Sequence, residues 1–229
     1  MKKLLFLLSV MLCACHASAQ MKVGVEAGAN LSRFVGSSSL PSEKKAKMGA
    51  QLGVNLDYEF KNHWLLMSGL TFIQTQGELK LGENYNGVQG DSYMNPTAFM
   101  KFPEVQTKVN YLQVPLKLGY HFRLNENFSV IPSVGGYFAY GFGAGKCNLK
   151  VTDGETGKVI STQWKPMDGK EEHGLKAFRS WDWGATVGVK AIWKQHYTFS
   201  FDYSIGAKKA LADYGLRGST YRVSLGYRM

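Results

Sequence analysis

The sequence predicts an all-β chain that closes into an eight-stranded, up-and-down antiparallel transmembrane β-barrel. Three observations carry that reading. A two-residue alternation recurs along most of the chain after residue 20, the connections alternate between long and short, and aromatic residues gather at the strand ends. The alternation is clearest in segment 48–60. There Met48, Ala50, Leu52, Val54, Leu56, Tyr58 and Phe60 interleave with Gly49, Gln51, Gly53, Asn55, Asp57 and Glu59. Successive strand side chains point to opposite faces, so one face is apolar and the other polar or glycine. Strands of this length cross a bilayer when tilted. Lipid requires every backbone polar group to be paired, and a closed barrel achieves that.

The elements follow in order. Residues 1–20 read as a signal peptide: Lys2 and Lys3 start it, Leu4 to Leu12 are apolar, and Ala17-Ser18-Ala19 forms a small-residue cleavage site. Leu12-Cys13-Ala14-Cys15 also admits a lipoprotein reading with a lipidated Cys15, against which stands the short tether left before the first strand. Residues 21–229 then form one barrel domain, with strands expected at 21–32, 47–60, 63–77, 107–122, 127–142, 181–194, 196–208 and 217–229. Short turns fall at Lys61-Asn62, Arg123 to Glu126 and Lys194-Gln195. Longer loops fall at 33–46, 78–106, 143–180 and 209–216. Short periplasmic turns with four longer extracellular loops are the pattern of outer-membrane barrels.

Volume decides which face points outward. An eight-stranded barrel has an interior just filled by side chains, about three layers of four in the soluble parallel case. The apolar set, including Val25, Leu31, Leu112, Val114, Leu116, Val187 and Val189, is far too large for that space and must face lipid. The opposite face carries Gly24, Gly28, Gly119, Gly135, Gly184, Gly188 and Gly226, which suit a narrow lumen. Aromatics agree: Tyr58, Phe60, Trp64, Phe122, Phe128, Trp193, Tyr197 and Tyr227 sit at periplasmic ends, and Trp181 and Trp183 toward the outer ends. Segment 64–73 departs from the pattern, because Leu65, Met67 and Ile73 make its lumen face apolar too.

The lumen face gathers opposed charges, chiefly Glu26, Asp57, Lys117, Asp182, Lys190, Asp202, Arg222 and Arg228, with Glu59 and His121 beside them. The first and last strands are neighbours in a barrel, so Glu26 is expected to pair with Arg222 or Arg228, and Lys190 with Asp202. Internal ion pairs filling the lumen are the bland interpretation, since unpaired buried charge is costly. A charge-gated narrow ion pathway is the functional one.

Several segments together resemble the small outer-membrane barrels grouped around PorT, a component associated with type IX secretion. They are Val23-Gly24-Val25-Glu26-Ala27-Gly28-Ala29-Asn30-Leu31, Tyr111-Leu112-Gln113-Val114-Pro115-Leu116-Lys117-Leu118-Gly119-Tyr120, Gly135-Gly136-Tyr137-Phe138-Ala139-Tyr140, Asp182-Trp183-Gly184 and Val223-Ser224-Leu225-Gly226-Tyr227-Arg228. The likeness spans nearly the whole chain after the signal, and specificity lies in the order and spacing of short motifs. The final residue is Met229, where such barrels commonly end in an aromatic. The resemblance implies fold and location, not a role in secretion.

Composition and motifs exclude more than they assign. Formal charge is +10, or +8 once Lys2 and Lys3 leave, but the aromatics follow strand periodicity instead of interleaving with a basic stripe, which argues against nucleic acid. Basic loops fit lipopolysaccharide phosphates. Catalysis would need a histidine near a carboxylate or nucleophile at the outer rim; only His173, beside Glu171 and Glu172, lies in an outer loop. Gly141-Phe142-Gly143-Ala144-Gly145-Lys146 lacks the Ser/Thr and following helix of a phosphate loop, because Cys147 comes next. Lys150 to Thr162, centred on Thr152-Asp153-Gly154-Glu155-Thr156-Gly157, reads as a hairpin extending the barrel above the membrane, and Asp153 and Glu155 offer too few ligands for calcium. No cofactor and no catalytic or metal residue is expected. The expected function is a non-enzymatic, monomeric barrel in lipid and lipopolysaccharide, presenting loops 78–106 and 143–180 to a protein or glycan. A small-solute or ion channel is the runner-up.

Overall fold

The computed structural model describes residues 21–36, 42–60, 62–81, 100–153, 159–164, 180–211 and 216–229. Ten strands occur in these: β1 Met21–Val35, β2 Ser42–Glu59, β3 Trp64–Leu81, β4 Met100–Tyr120, β5 Phe122–Arg123, β6 Phe128–Asp153, β7 Val159–Trp164, β8 Trp181–Trp193, β9 Tyr197–Leu211 and β10 Leu216–Arg228. Eight of them close a barrel. Antiparallel ladders join β1 to β2, β2 to β3, β3 to β4, β4 to β6, β6 to β8, β8 to β9, β9 to β10, and β10 back to β1. The two remaining strands add to β6: β5 continues β4 beyond His121, and β7 pairs above the wall.

The strands run farther than the alternation of lipid-facing residues predicts. Loop 33–46 shrinks as β1 extends to Val35 and β2 starts at Ser42; β3 reaches Leu81 and β4 starts at Met100. Within 143–180, β6 continues to Asp153 and pairs with β7, as the hairpin expected at 150–162 requires. Ladder bonding needs only a neighbour, so Lys80↔Glu104 and Lys101↔Thr152 continue the wall beyond the apolar band. At the opposite end the turns are tight. Lys194 and Gln195 both take positive φ, 49° and 62°, within a three-residue connection, Lys194 to His196, closed by the Trp193–Tyr197 pair.

The apolar face points outward. Leu52, Val134, Phe138 and Leu225 are each more than 60% exposed, while Asp57, Lys190 and Arg222 are buried inside. The lower aromatics touch in a chain: Trp64 lies 5.3 Å from Tyr120, Tyr120 4.8 Å from Phe122, and Trp193 5.6 Å from Tyr197. Tyr58 and Phe60 meet edge-on at 4.9 Å, and Tyr197 and Tyr227 at 5.8 Å. Phe128 is exposed on the same rim. On the outer side Tyr140 and Trp181 approach to 4.8 Å, with Trp183 exposed beside them. The two rings bound an apolar band like that of membrane barrels.

Candidate functional site: the lumen

Inward alternation brings the charged side chains to the axis, and the narrowness of the barrel decides who meets whom. Lys190 on β8 crosses the lumen to Asp57 on β2, donating to both carboxylate oxygens at 2.8 and 3.0 Å. Lys117 on β4 donates to Asp202 on β9 at 2.7 Å, and Arg222 lies 3.8 Å from the other oxygen of that carboxylate. The expected partnerships of Glu26 with Arg222 or Arg228, and of Lys190 with Asp202, are therefore corrected. Register explains the first. Glu26 faces Gly226, while Arg222 faces Asn30 and Arg228 faces Gly24. The Glu26 carboxylate instead accepts from Asn55 at 2.9 Å and Ser224 at 3.3 Å. Lys190 faces Ser200 across its own ladder, and Asp202 lies opposite Gly188. A Cβ at Gly188 would stand 2.1 Å from Asp202 Oδ1, so only glycine leaves that carboxylate its place.

An apolar cluster adjoins these pairs. Leu65, Met67, Ile131 and Ile192 are at most 2% exposed and meet inside the barrel near its short-turn end. Gly119 makes room for it: a Cβ there would lie 2.8 Å from Ile131 and 3.2 Å from the Met67 sulfur. The inward-facing Leu65 and Met67 were legible in the departure of segment 64–73. Ile131 and Ile192 were not, because each sits in an apolar run where both faces look alike. Ion pairs and apolar cluster together form a plug. The voids left among its residues are only about 20 Å³ and 10 Å³, room for isolated waters.

Both ends are wider. At the short-turn mouth an open basin of about 630 Å³ is lined by Glu59, His121, Arg123 and Arg228, among others. Glu59 lies 3.1 Å from His121 and 3.0 Å from Arg123, and Arg228 donates to the Gln195 carbonyl at 3.3 Å. At the other end a cup of about 100 Å³ lies above Arg222. Asp182 stands in its wall, accepting from the Tyr137 hydroxyl at 2.9 Å. Of the eight expected lumen charges, five thus meet in the plug. Glu26 lies beside them, while Asp182 and Arg228 belong to opposite mouths.

Above the outer ring, β2 and β3 carry a further pair: Lys47 bonds the buried Glu78 carboxylate and holds it below the usual carboxylate range, against the opposing effect of burial. Among the described residues no three His, Cys, Asp or Glu side chains gather as a metal site. Residues 1–20, Glu155 and His173 with its neighbouring acids lie outside the described residues, as do parts of both longest loops.

A family model described as "Outer membrane protein beta-barrel domain" matches residues 17–209. No curated protein matches in sequence. Solved structures similar to this chain include the attachment invasion locus protein Ail of Yersinia pestis, at 16% identity and a TM-score of 0.39, covering 92% of this chain and 99% of that one. OprG of Pseudomonas aeruginosa gives 12%, 0.44, 92% and 96%. Neisserial surface protein A gives 12%, 0.41, 90% and 96%.

Proposed function

Because the chain belongs to the outer membrane protein beta-barrel domain family, we propose that this integral barrel acts without catalysis, as a sealed scaffold that presents its outer loops to a partner. The plug supports this reading above all. An ion crossing the lumen would have to part Lys190 from Asp57 and Lys117 from Asp202, then shed water beside Leu65, Met67, Ile131 and Ile192. Each step carries a large desolvation cost. Function then moves to the rim, where loops on a rigid wall commonly bind. Segments 78–106 and 143–180 are the candidate surfaces for a protein or glycan. Exposed Lys108, Lys146 and Lys150 on the extended strands suit lipopolysaccharide phosphates. A closed wall leaves no barrel strand edge to pair with a second copy, which favours a monomer. Kinship with the PorT group is the finer family reading, resting on the five segments quoted above.

A small-solute channel is the second reading, favoured by the two open mouths. Single-channel conductance in planar bilayers decides between them. The sealed barrel is expected to stay silent where a known porin conducts. Discrete wild-type openings, altered by Arg222→Ala or Glu26→Ala, would put the channel first.

A further inference from the structure

The basin at the short-turn mouth holds cations that the plug does not use. Arg228 is only 8% exposed. Among the described residues its side chain bonds the Gln195 carbonyl alone and joins no salt bridge. Asp57 and Glu59 attract its guanidinium and Arg123 repels it, so the group lies between the plug and the basin. Lys22, exposed in the same basin, is the next inward residue of β1 below the Gly24↔Arg228 pair. It is therefore diagonal to Arg228, within reach of a long side chain. Asp57 faces Lys22 on β2, but Lys190 already holds that carboxylate. His121 and Arg123 hold Glu59 in the same way. Two adjoining cations are left without a paired anion, an arrangement that a bound counterion would relieve.

The basin also narrows the choice of anion. Lys22 and Arg228 are opposed by the exposed carboxylate of Glu126, and two cations against one anion leave a single positive charge. One carboxylate balances it, whereas a phosphate dianion would overshoot. Asn127 and Gln195 add side-chain amides to the lining, and these can pair with peptide groups. A volume of about 630 Å³ is that of a small-ligand site. The plug closes its inner end, so the end of a chain fits where a chain passing through does not.

We propose that the short-turn mouth is a blind binding site for the terminal carboxylate of a peptide, held between Arg228 and Lys22. The peptide is either free in the periplasm or the tail of a protein there. The site lies at the opposite end from the outer loops and its test reads binding, so its failure would leave the scaffold reading intact.

The experiment follows the Arg228 Nε–H signal by NMR in maltoside micelles, which carry no charge. N-acetyl-trialanine with a free carboxylate is expected to shift it saturably in the millimolar range, and its C-terminal amide to leave it unmoved. Inorganic phosphate should bind more weakly than the peptide. Lys22→Gln, at an exposed position, is expected to weaken binding about threefold, the worth of one solvent-exposed charge contact. Arg228→Gln should abolish binding, read at the Lys22 backbone amide, with heat-modifiable gel migration as the folding check. The same three alanines on the C-terminus of a folded carrier protein separate the sources. Equal binding there assigns the site to protein tails, and loss of binding to free peptides. Equal shifts with acid and amide, tighter binding of phosphate, unchanged affinity in Lys22→Gln, or no shift at all overturns the proposal.

Discussion

Lys190 and Asp57 stand 133 positions apart in the chain yet share two hydrogen bonds inside the barrel. Both side chains are at most 6% exposed, so neither charge has water to fall back on. Removing one partner strands the other, and such losses cost about 3–5 kcal/mol. Lys190→Ala is accordingly expected to destabilise the barrel by about that amount, read from urea titration of folding into vesicles. Lys190→Met combined with Asp57→Leu should recover most of it, because an apolar replacement of a whole buried pair is often neutral. A double variant as unstable as the single one would show that the pair is not the source of the loss. The lipid-facing residues work the other way. Leu52 sits midway between Met48 and Tyr58 on the exposed side of β2, 61% exposed. Leu52→Arg should cost about 2–4 kcal/mol in the same titration, as arginine does at a bilayer midplane.

Each strand serves two environments in turn, and its length divides accordingly. The lower part of β3 faces lipid with Leu66, Leu70 and Phe72, while its upper part continues the ladders with β2 and β4 as far as Leu81 and Lys80. The Lys47–Glu78 pair clips β2 to β3 in that upper part, where the ladder shifts register between Ala46 and Gln51. Glu78 titrates below its ordinary range in the folded state, so the clip contributes stability at and above that range. The contribution is lost as pH falls through the lowered folded value. Protection of the β2 and β3 amides above the outer ring, taken relative to the intrinsic exchange rate, should fall on acidification below the ordinary glutamate range. In Glu78→Gln that acid dependence should be much reduced. An unchanged acid response in the variant would assign the effect to other carboxylates.

At the scale of the whole molecule, closure of β1 onto β10 leaves a cylinder with a wet mouth at each end and a dense middle. A closed ladder resists detergent, so the unheated protein is expected to migrate apart from the boiled form on gels. Salt washing should leave it in the membrane fraction, and release by salt alone would contradict the integral barrel. The sequence by itself determined the alternation of Met48 through Phe60, the short turns at Lys194-Gln195 and the outward apolar face, because each depends only on residues near in the chain. It also marked Asp57, Lys117, Lys190, Asp202 and Arg222 as inward charges. Only the tertiary structure decided their partners. Ladder neighbours were the natural guess, but in so narrow a barrel long side chains reach across the axis, and that distance depends on closure and register. The reach of β3 beyond the membrane was likewise hidden, since pairing there relies on backbone neighbours, whereas the turn residues around Thr152 to Gly157 announced the hairpin of β6 and β7. Ile131 and Ile192 joined Leu65 and Met67 in the plug for the same reason: an apolar residue in an apolar run shows its face only once the strand has a register.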